Sequence, residues 1–315
     1  MYENNSNNKI SPASLTKLMT ALLLYESNTL NHQINIKLPQ DYQYAGKVAY
    51  LEEGLILTTE ELLELLLVYS ANDAAYVAAM EISSNIDDFV KLMNLRAKEL
   101  GMNDTVYKNP DGLDELEHQT TLKDLLILSI FIIENTKILD ITSKETIFIN
   151  QLDKKTFNNT NTIINDGFEG LKTGWTSEAG LTFIGFNQKN SRRVITIVNK
   201  SLVDDEKLNH FTDTKILYER SVNDFSVRNV LYEDDIIYKI FNADSVTSYY
   251  SNKELKSFIR SDTNIEKIVQ IQNNKLFISF KNFQLQESFN IPPSKFKVDY
   301  QFHWSNRFLN NIFNN

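Results

Sequence analysis

The feature that most constrains this chain is a change in the period of its apolar residues. From about residue 12 to 135 they recur at helical spacing, and after about residue 165 they alternate. The two patterns exclude each other locally, because a 3.6-residue repeat lays an apolar stripe on a helix whereas alternation fills one face of a strand. The chain therefore reads as a mixed α/β (α+β) protein with a helical first half and antiparallel sheet after it.

Start and stop signals divide the helical half. Thr58 and Glu61 form a capping box ahead of Leu62–Leu67, the hydroxyl accepting from first-turn amides while the carboxylate reaches back. A helix is expected from Ile86 to Leu100, with Phe89, Leu92, Met93 and Leu100 on one stripe and Gly101 at its end. Asn109-Pro110-Asp111-Gly112 is a turn, and Thr121 with Asp124 caps the apolar helix that follows. Later, Leu181–Phe186 and Val194–Val198 read as a hairpin across the polar turn Asn187–Ser191. From Tyr232 to Ile291 short β-like runs recur, Ile268–Ile271 and Leu276–Phe280 meeting at Asn273-Asn274. The expected organisation is a domain over 1–225, a small all-β domain over 226–298, and a C-terminal segment over 299–315. In that segment Trp304, Phe308, Leu309, Ile312 and Phe313 share one helical face. It suits either docking on the β domain or peripheral contact with a membrane surface.

Charge and composition remove several function classes. With 32 Lys+Arg against 41 Asp+Glu, the net charge of −9 leaves no basic patch for phosphate backbones, so no nucleic acid is expected as a partner. The absence of cysteine removes disulfides, thiolate nucleophiles and Cys-ligated zinc. His32, His118, His210 and His303 form no HExxH pattern, so no metal or other cofactor is expected, and each reads as a polar surface or hydrogen-bonding residue. The longest apolar stretch, Leu125–Ile133, falls short of the ~18 residues of a membrane span. The first residues lack the basic and apolar regions of a signal peptide.

Three short motifs carry the chemistry. Ser14 and Lys17 open an apolar helical run and share a face at i and i+3. That geometry suits nucleophilic catalysis, since serine needs a neighbouring base and lysine becomes one when its proton affinity is depressed. Singly the pattern is weak: Ser294-Lys295-Phe296-Lys297 repeats it where extended chain is expected, and Ser83-Ser84-Asn85 repeats the spacing of Ser70-Ala71-Asn72. What is specific is the order: helix-borne Ser14/Lys17, Ser70/Asn72 after an apolar helix, and Lys172-Thr173-Gly174 immediately before the hairpin.

This set resembles the serine penicillin-recognising enzymes. Pro12–Thr20, Ser70–Ala75, Arg96–Met102, Asn109–Leu113 and Gly170–Thr176 narrow it to the D-alanyl-D-alanine carboxypeptidases among the low-molecular-mass penicillin-binding proteins, over about residues 10 to 220. The resemblance implies a β-lactamase/transpeptidase-like catalytic domain with a helical subdomain. It implies Ser14 as nucleophile, Lys17 as its base, Ser70 as proton relay and Asn72 as the residue holding the substrate amide. Lys172 and Thr173 would bind the terminal carboxylate, Gly174 would admit close approach, and Ser14 and Trp175 would give main-chain oxyanion donors. Peptidoglycan stem peptide and β-lactam antibiotics are the implied partners, at the outer face of the cytoplasmic membrane or cell wall. Rival readings are a class A-like β-lactamase and a non-catalytic cell-wall-binding relative or remnant; no convincing Glu-x-x-x-Asn loop between Ser70 and Lys172 favours the lactamase. The family's domain begins a few dozen residues earlier, so this chain is expected to lack N-terminal strands and present unpaired sheet edges. Relatives often carry an arginine where this chain has His210, which would replace that charge only if its proton affinity were raised.

Overall fold

The computed structural model describes residues 3–301 apart from 154–155, 190–191, 205–206, 242–244, 252–253, 263, 273–274, 281–282 and 291–295. The chain divides into two units, Met1–Glu219 and Arg220–Asn315.

In the first unit Pro12 leads into a 3₁₀ turn, Ala13–Thr16, and then helix α1 (Lys17–Ser27). Ser14 thus stands on a tighter turn than the expected helix, with Lys17 starting the helix proper. Strands β1 (Gln33–Asn35) and β2 (Ile56–Thr58) pair antiparallel. Thr58 and Glu61 make the expected capping box on α2 (Thr59–Glu64). One turn of π-helix, Leu65–Tyr69, then carries the chain to α3 (Asn72–Ile82). Helix α4 (Ile86–Leu100) is capped by Asn85 and ends at Gly101 in the left-handed region. Its stripe buries Phe89 and Met93, whereas Leu92 is exposed. Helix α5 (Leu122–Asn135) is capped by Thr121, and α6 (Ile138–Thr142) follows.

Leu15, Leu18, Met19 and Leu22 of the turn and α1 are fully buried in one core with residues of α2 to α6. Burying side chains of this size contributes roughly 2 kcal/mol each before chain entropy is charged, so the residues beside Ser14 are fixed by a largely buried helix.

Strands β3 (Thr146–Phe148) and β4 (Thr156–Asn158) form a small ladder. Next comes an antiparallel sheet of β5 (Phe168–Thr176), β6 (Gly180–Lys189) and β7 (Arg192–Ser201), with β5 at its edge among the described residues. Lys172-Thr173-Gly174 therefore lies inside β5, opposite Ile184, Phe183 and Thr182, on the strand that precedes the β6–β7 hairpin. The strands also run through the expected turn: Asn187–Lys189 pair with Arg192–Val194. Strands β8 (Val203–Asp204) and β9 (Lys207–Leu208) precede α7 (Asn209–Asp224). Phe211 joins Phe168, Phe183 and Val198 in a second cluster.

The second unit is built of antiparallel pairs. Strand β10 (Phe225–Leu231) precedes β11 (Ile236–Phe241) and β12 (Ser245–Tyr250), and β10 pairs with β13 (Leu255–Arg260). The expected strands over 268–271 and 276–280 appear as β14 (Lys267–Gln272) and β15 (Lys275–Phe280), β15 pairing also with β16 (Phe283–Asn290). Strand β17 (Phe296–Gln301) completes the sheet of β11 and β12. Val230, Leu231, Ile237, Ile259 and Ile278 form its core. The Asn273-Asn274 turn, Ser294-Lys295 and the apolar face over 304–313 lie outside the described residues. No helix among the described residues is long and apolar enough to cross a membrane.

Candidate active site

Lys17 organises the site. Its side chain is fully buried, and Nζ donates to Ser14 Oγ at 3.0 Å, Asn72 Oδ1 at 2.7 Å and the Asp111 carbonyl at 2.6 Å. Three separate elements, the 3₁₀ turn, α3 and the loop before Leu113, thus meet at one nitrogen. Burial lowers the lysine pKa from 10.5 to about 8, while Asp111 and Asp73 oppose the shift. About a tenth of the amine is thereby neutral at pH 7, and a neutral amine 3.0 Å from a hydroxyl can take its proton.

Ser70 and Asn72 come from the junction between the π turn and α3. Ser70 is buried and holds φ +70°, a left-handed conformation that costs a non-glycine residue about 1–2 kcal/mol. Asn72 is fixed at both ends: its amide donates to the Lys47 carbonyl at 2.7 Å and its Nδ2 to the Ala45 carbonyl at 2.8 Å. Next to it, Asp73 accepts from the amides of Ala49 at 3.0 Å and Leu51 at 2.9 Å. The loop over 45–51 is so bound to the start of α3, and Asn72 presents Oδ1 to Lys17 in one orientation.

Strand β5 closes the other side. A Cβ built on Gly174 would lie 3.2 Å from the Ser14 amide nitrogen and 2.8 Å from Thr182 Cγ2, so the strand approaches the serine turn as closely as glycine permits. An edge strand keeps amides outside its ladder, so the Ser14 amide and β5 can offer donors to a developing oxyanion. Trp175 is 60% exposed beside this contact. Thr173 Oγ1 donates to Thr160 Oγ1 at 2.6 Å, and the buried Lys172 Nζ donates to the Thr173 carbonyl at 2.9 Å. Burial, then the charges of Lys17 and Lys47, hold Lys172 well below the usual lysine range.

Sequence reasoning missed the backbone partners. Asp111 stands in a recognised turn, yet nothing in its type marks its carbonyl as an acceptor for Lys17, nor does residue type mark the Ala45 and Lys47 carbonyls as acceptors for Asn72. Two further ties escaped notice: Asp114 accepts from Ser11 Oγ at 3.0 Å and Thr176 Oγ1 at 2.6 Å, and Thr20 Oγ1 donates to the Pro110 carbonyl at 2.6 Å. Together they bind the serine turn, the loop over 109–114 and β5.

The histidines divide. His32 is partly exposed beside Glu81, and His303 lies outside the described residues. His118 is buried, with Nε2 3.0 Å from Thr16 Oγ1, and His210 is buried with Nδ1 unpartnered. Burial lowers both pKa values to about 4, so His210 is neutral at pH 7 and brings no arginine-like charge. The unfolded chain binds these protons near pH 6.5, so the stability from keeping both rings neutral is present above that pH and lost as pH falls toward 4. Between pH 7 and 5 each histidine is expected to contribute a loss of about 2 kcal/mol. Thermal melts at the two pH values check this: the difference should shrink in His118→Asn, and an unchanged difference would contradict it.

A model of the D-alanyl-D-alanine carboxypeptidase family matches residues 1–201. The chain is 33% identical over 206 residues to D-alanyl-D-alanine carboxypeptidase DacF of Bacillus subtilis, an alignment covering 63% of this chain and 53% of that protein. The chain thus spans about half the length of the curated relatives it matches. Among solved structures, penicillin-binding protein D2 of Listeria monocytogenes in its cefotaxime-bound form is 32% identical, with a TM-score of 0.60 over 69% of this chain and 90% of that one. The carboxypeptidase DacD of Francisella tularensis shares the fold, with a TM-score of 0.74 at 19% identity over 91% of this chain and 88% of that one.

Proposed function

Because this chain belongs to the D-alanyl-D-alanine carboxypeptidase family, we propose that it removes the terminal D-alanine from peptidoglycan stem pentapeptides through an acyl-enzyme on Ser14. The observation that carries the reading is the buried Lys17 amine, 3.0 Å from Ser14 Oγ, with its pKa lowered to about 8. Ser14 Oγ attacks the carbonyl between the two D-alanines as Lys17 takes its proton. The tetrahedral oxyanion is met by the Ser14 and Trp175 amides. The C–N bond then breaks, the leaving amine receives a proton relayed by Ser70, and D-alanine departs. Water hydrolyses the ester, returning the hydroxyl to Ser14. Asn72 orients Lys17 and the substrate amide, while Lys172 and Thr173 receive the free carboxylate.

A β-lactam presents the same carbonyl and carboxylate, so benzylpenicillin acylates Ser14 in this reading. The activity belongs outside the cytoplasmic membrane, with the C-terminal segment as a peripheral contact. The test is intact-mass spectrometry after incubation with benzylpenicillin, followed by peptide mapping. One penicilloyl group on the peptide containing Ser14 supports the proposal; an unmodified protein, or a label elsewhere, overturns it. The pH dependence has a defined sign. Lys17 acts deprotonated, so the acylation rate rises about tenfold per pH unit below about 8 and levels above that value. Stopped-flow or quenched acylation across pH 6 to 9 checks it, and a rate that falls with pH contradicts it.

A further inference from the structure

Lys47 joins the site through its main chain, since its carbonyl accepts from the Asn72 amide at 2.7 Å. Two residues on, the Ala49 amide is held by Asp73 at 3.0 Å, so the position of Lys47 is fixed against the start of α3. Its side chain is exposed, and the amine stands over the Tyr69 ring, 4.2 Å from the centroid. Tyr69 directly precedes Ser70, and the Val68 carbonyl beside it accepts from the Thr160 amide at 3.0 Å. Thr160 Oγ1 in turn accepts from the Thr173 hydroxyl at 2.6 Å. The loop over 45–51 thus carries a cation to the corner of the cleft in which Thr173 is tied. The charge of Lys47 is felt at Lys172, where it adds to burial and to Lys17 in lowering the proton affinity of the amine. His210, whose ring lies 6.2 Å from Phe183, the residue opposite Thr173 in the ladder, is neutral at pH 7.

Like charges directed at one corner repel, and an anion bound there relieves the repulsion. We propose that Lys47 is a specificity-determining residue, whose exposed amine pairs with the same terminal carboxylate that Lys172 and Thr173 receive. The inference rests on the peptidase reading above and deepens it, by adding to the carboxylate site a residue from a different element. The buried Lys172 amine and Thr173 fix where the carboxylate sits, and Lys47 supplies charge from the solvent side of the cleft. The Tyr69 ring holds the amine in place, because a cation is attracted to an aromatic face.

The probes are Nα,Nε-diacetyl-L-Lys-D-Ala-D-Ala and its C-terminal carboxamide, which keeps the peptide and removes the charge. In Lys47→Gln, kcat/KM for the acid is expected to fall about fivefold through KM, the upper end for an ion pair with an exposed cation. Added salt should shrink the difference between the two chains, and Lys47→Arg should restore most of the loss. Dissociation constants of both peptides are then measured on Ser14→Ala with and without Lys47→Gln, melting curves showing that each variant is folded. Weaker binding of the acid alone supports the inference. An equal loss for the carboxamide would trace the effect to the loop and not to the charge, and an unchanged affinity for the acid would show that the amine does not reach it; either result overturns the inference. Failure of the peptidase reading looks different. Binding of the acid that depends on Lys47, without turnover in the unmodified chain, keeps the carboxylate site and sinks the reaction, whereas turnover indifferent to Lys47 does the reverse.

Discussion

Replacing Ser14 by alanine is expected to abolish the penicilloyl adduct, and replacing Lys17 by methionine to slow its formation by roughly 10²–10⁴-fold, the range associated with losing a positioned base. Methionine is the informative substitution because it fills most of the fully buried lysine volume and carries neither charge nor proton. Three acceptors, Ser14 Oγ, Asn72 Oδ1 and the Asp111 carbonyl, then lose a donor, the buried ones at roughly 1–3 kcal/mol each. Against that loss stands the relief of a buried amine whose charged form burial disfavours. The two effects oppose each other, so the melting temperature should move far less than the rate. The rise of acylation with pH through about 8 should also disappear. Acylation by Lys17→Met within tenfold of the unmodified chain would remove Lys17 from the role of base.

Gly112→Ala is expected to cause the largest loss of stability from a single added methyl group. Gly112 holds φ +88°, and a Cβ there would overlap the Ala13 carbonyl oxygen and sit 2.9 Å from Thr16 Oγ1. Ala13 cannot yield easily, since it is fully buried with φ +49°. Strain and overpacking together cost roughly 3–5 kcal/mol. For a unit of this size that is a fall in melting temperature of about 10 °C. The shift also draws the neighbouring Asp111 carbonyl from Lys17, so acylation should fall with stability. Gly54→Ala is the matched control: Gly54 has φ +87° with nothing within 4 Å of the added Cβ, leaving the conformational cost alone at about 1–2 kcal/mol. Equal losses in the two variants would show that the contact with Ala13 does not constrain the loop.

What the sequence made legible follows the range of the interactions involved. Caps at Thr58, Asn85 and Thr121 act within one turn, and two of them, at Thr58 and Thr121, were read from residue type and spacing. The change of apolar period separated the helical and sheet regions because it reports burial on one face. Ser14, Lys17 and Asn72 were legible as motif residues, and the structure brings these three within hydrogen-bonding distance. Lys172 was legible as a residue entering a strand, but not that this strand forms an edge of the sheet, since strand order is decided by pairing between distant segments. The carbonyls of Ala45, Lys47 and Asp111 left no trace at all, because every residue type carries the same carbonyl and only the tertiary path decides what it accepts. Leu92 was misassigned for a related reason: helical periodicity marks a stripe but not how far a neighbouring helix covers it.

Lys172 also bears on how the cleft meets dissolved anions. Its amine is buried, and its proton affinity is depressed by that burial and by two neighbouring lysines. In the proposed role, a carboxylate that fits against the amine raises its affinity for hydrogen ions, so capture of the anion and uptake of a proton from solvent are coupled. On that role, anionic ligands held at this position are expected to lose affinity as the medium becomes alkaline, which binding measured across pH checks.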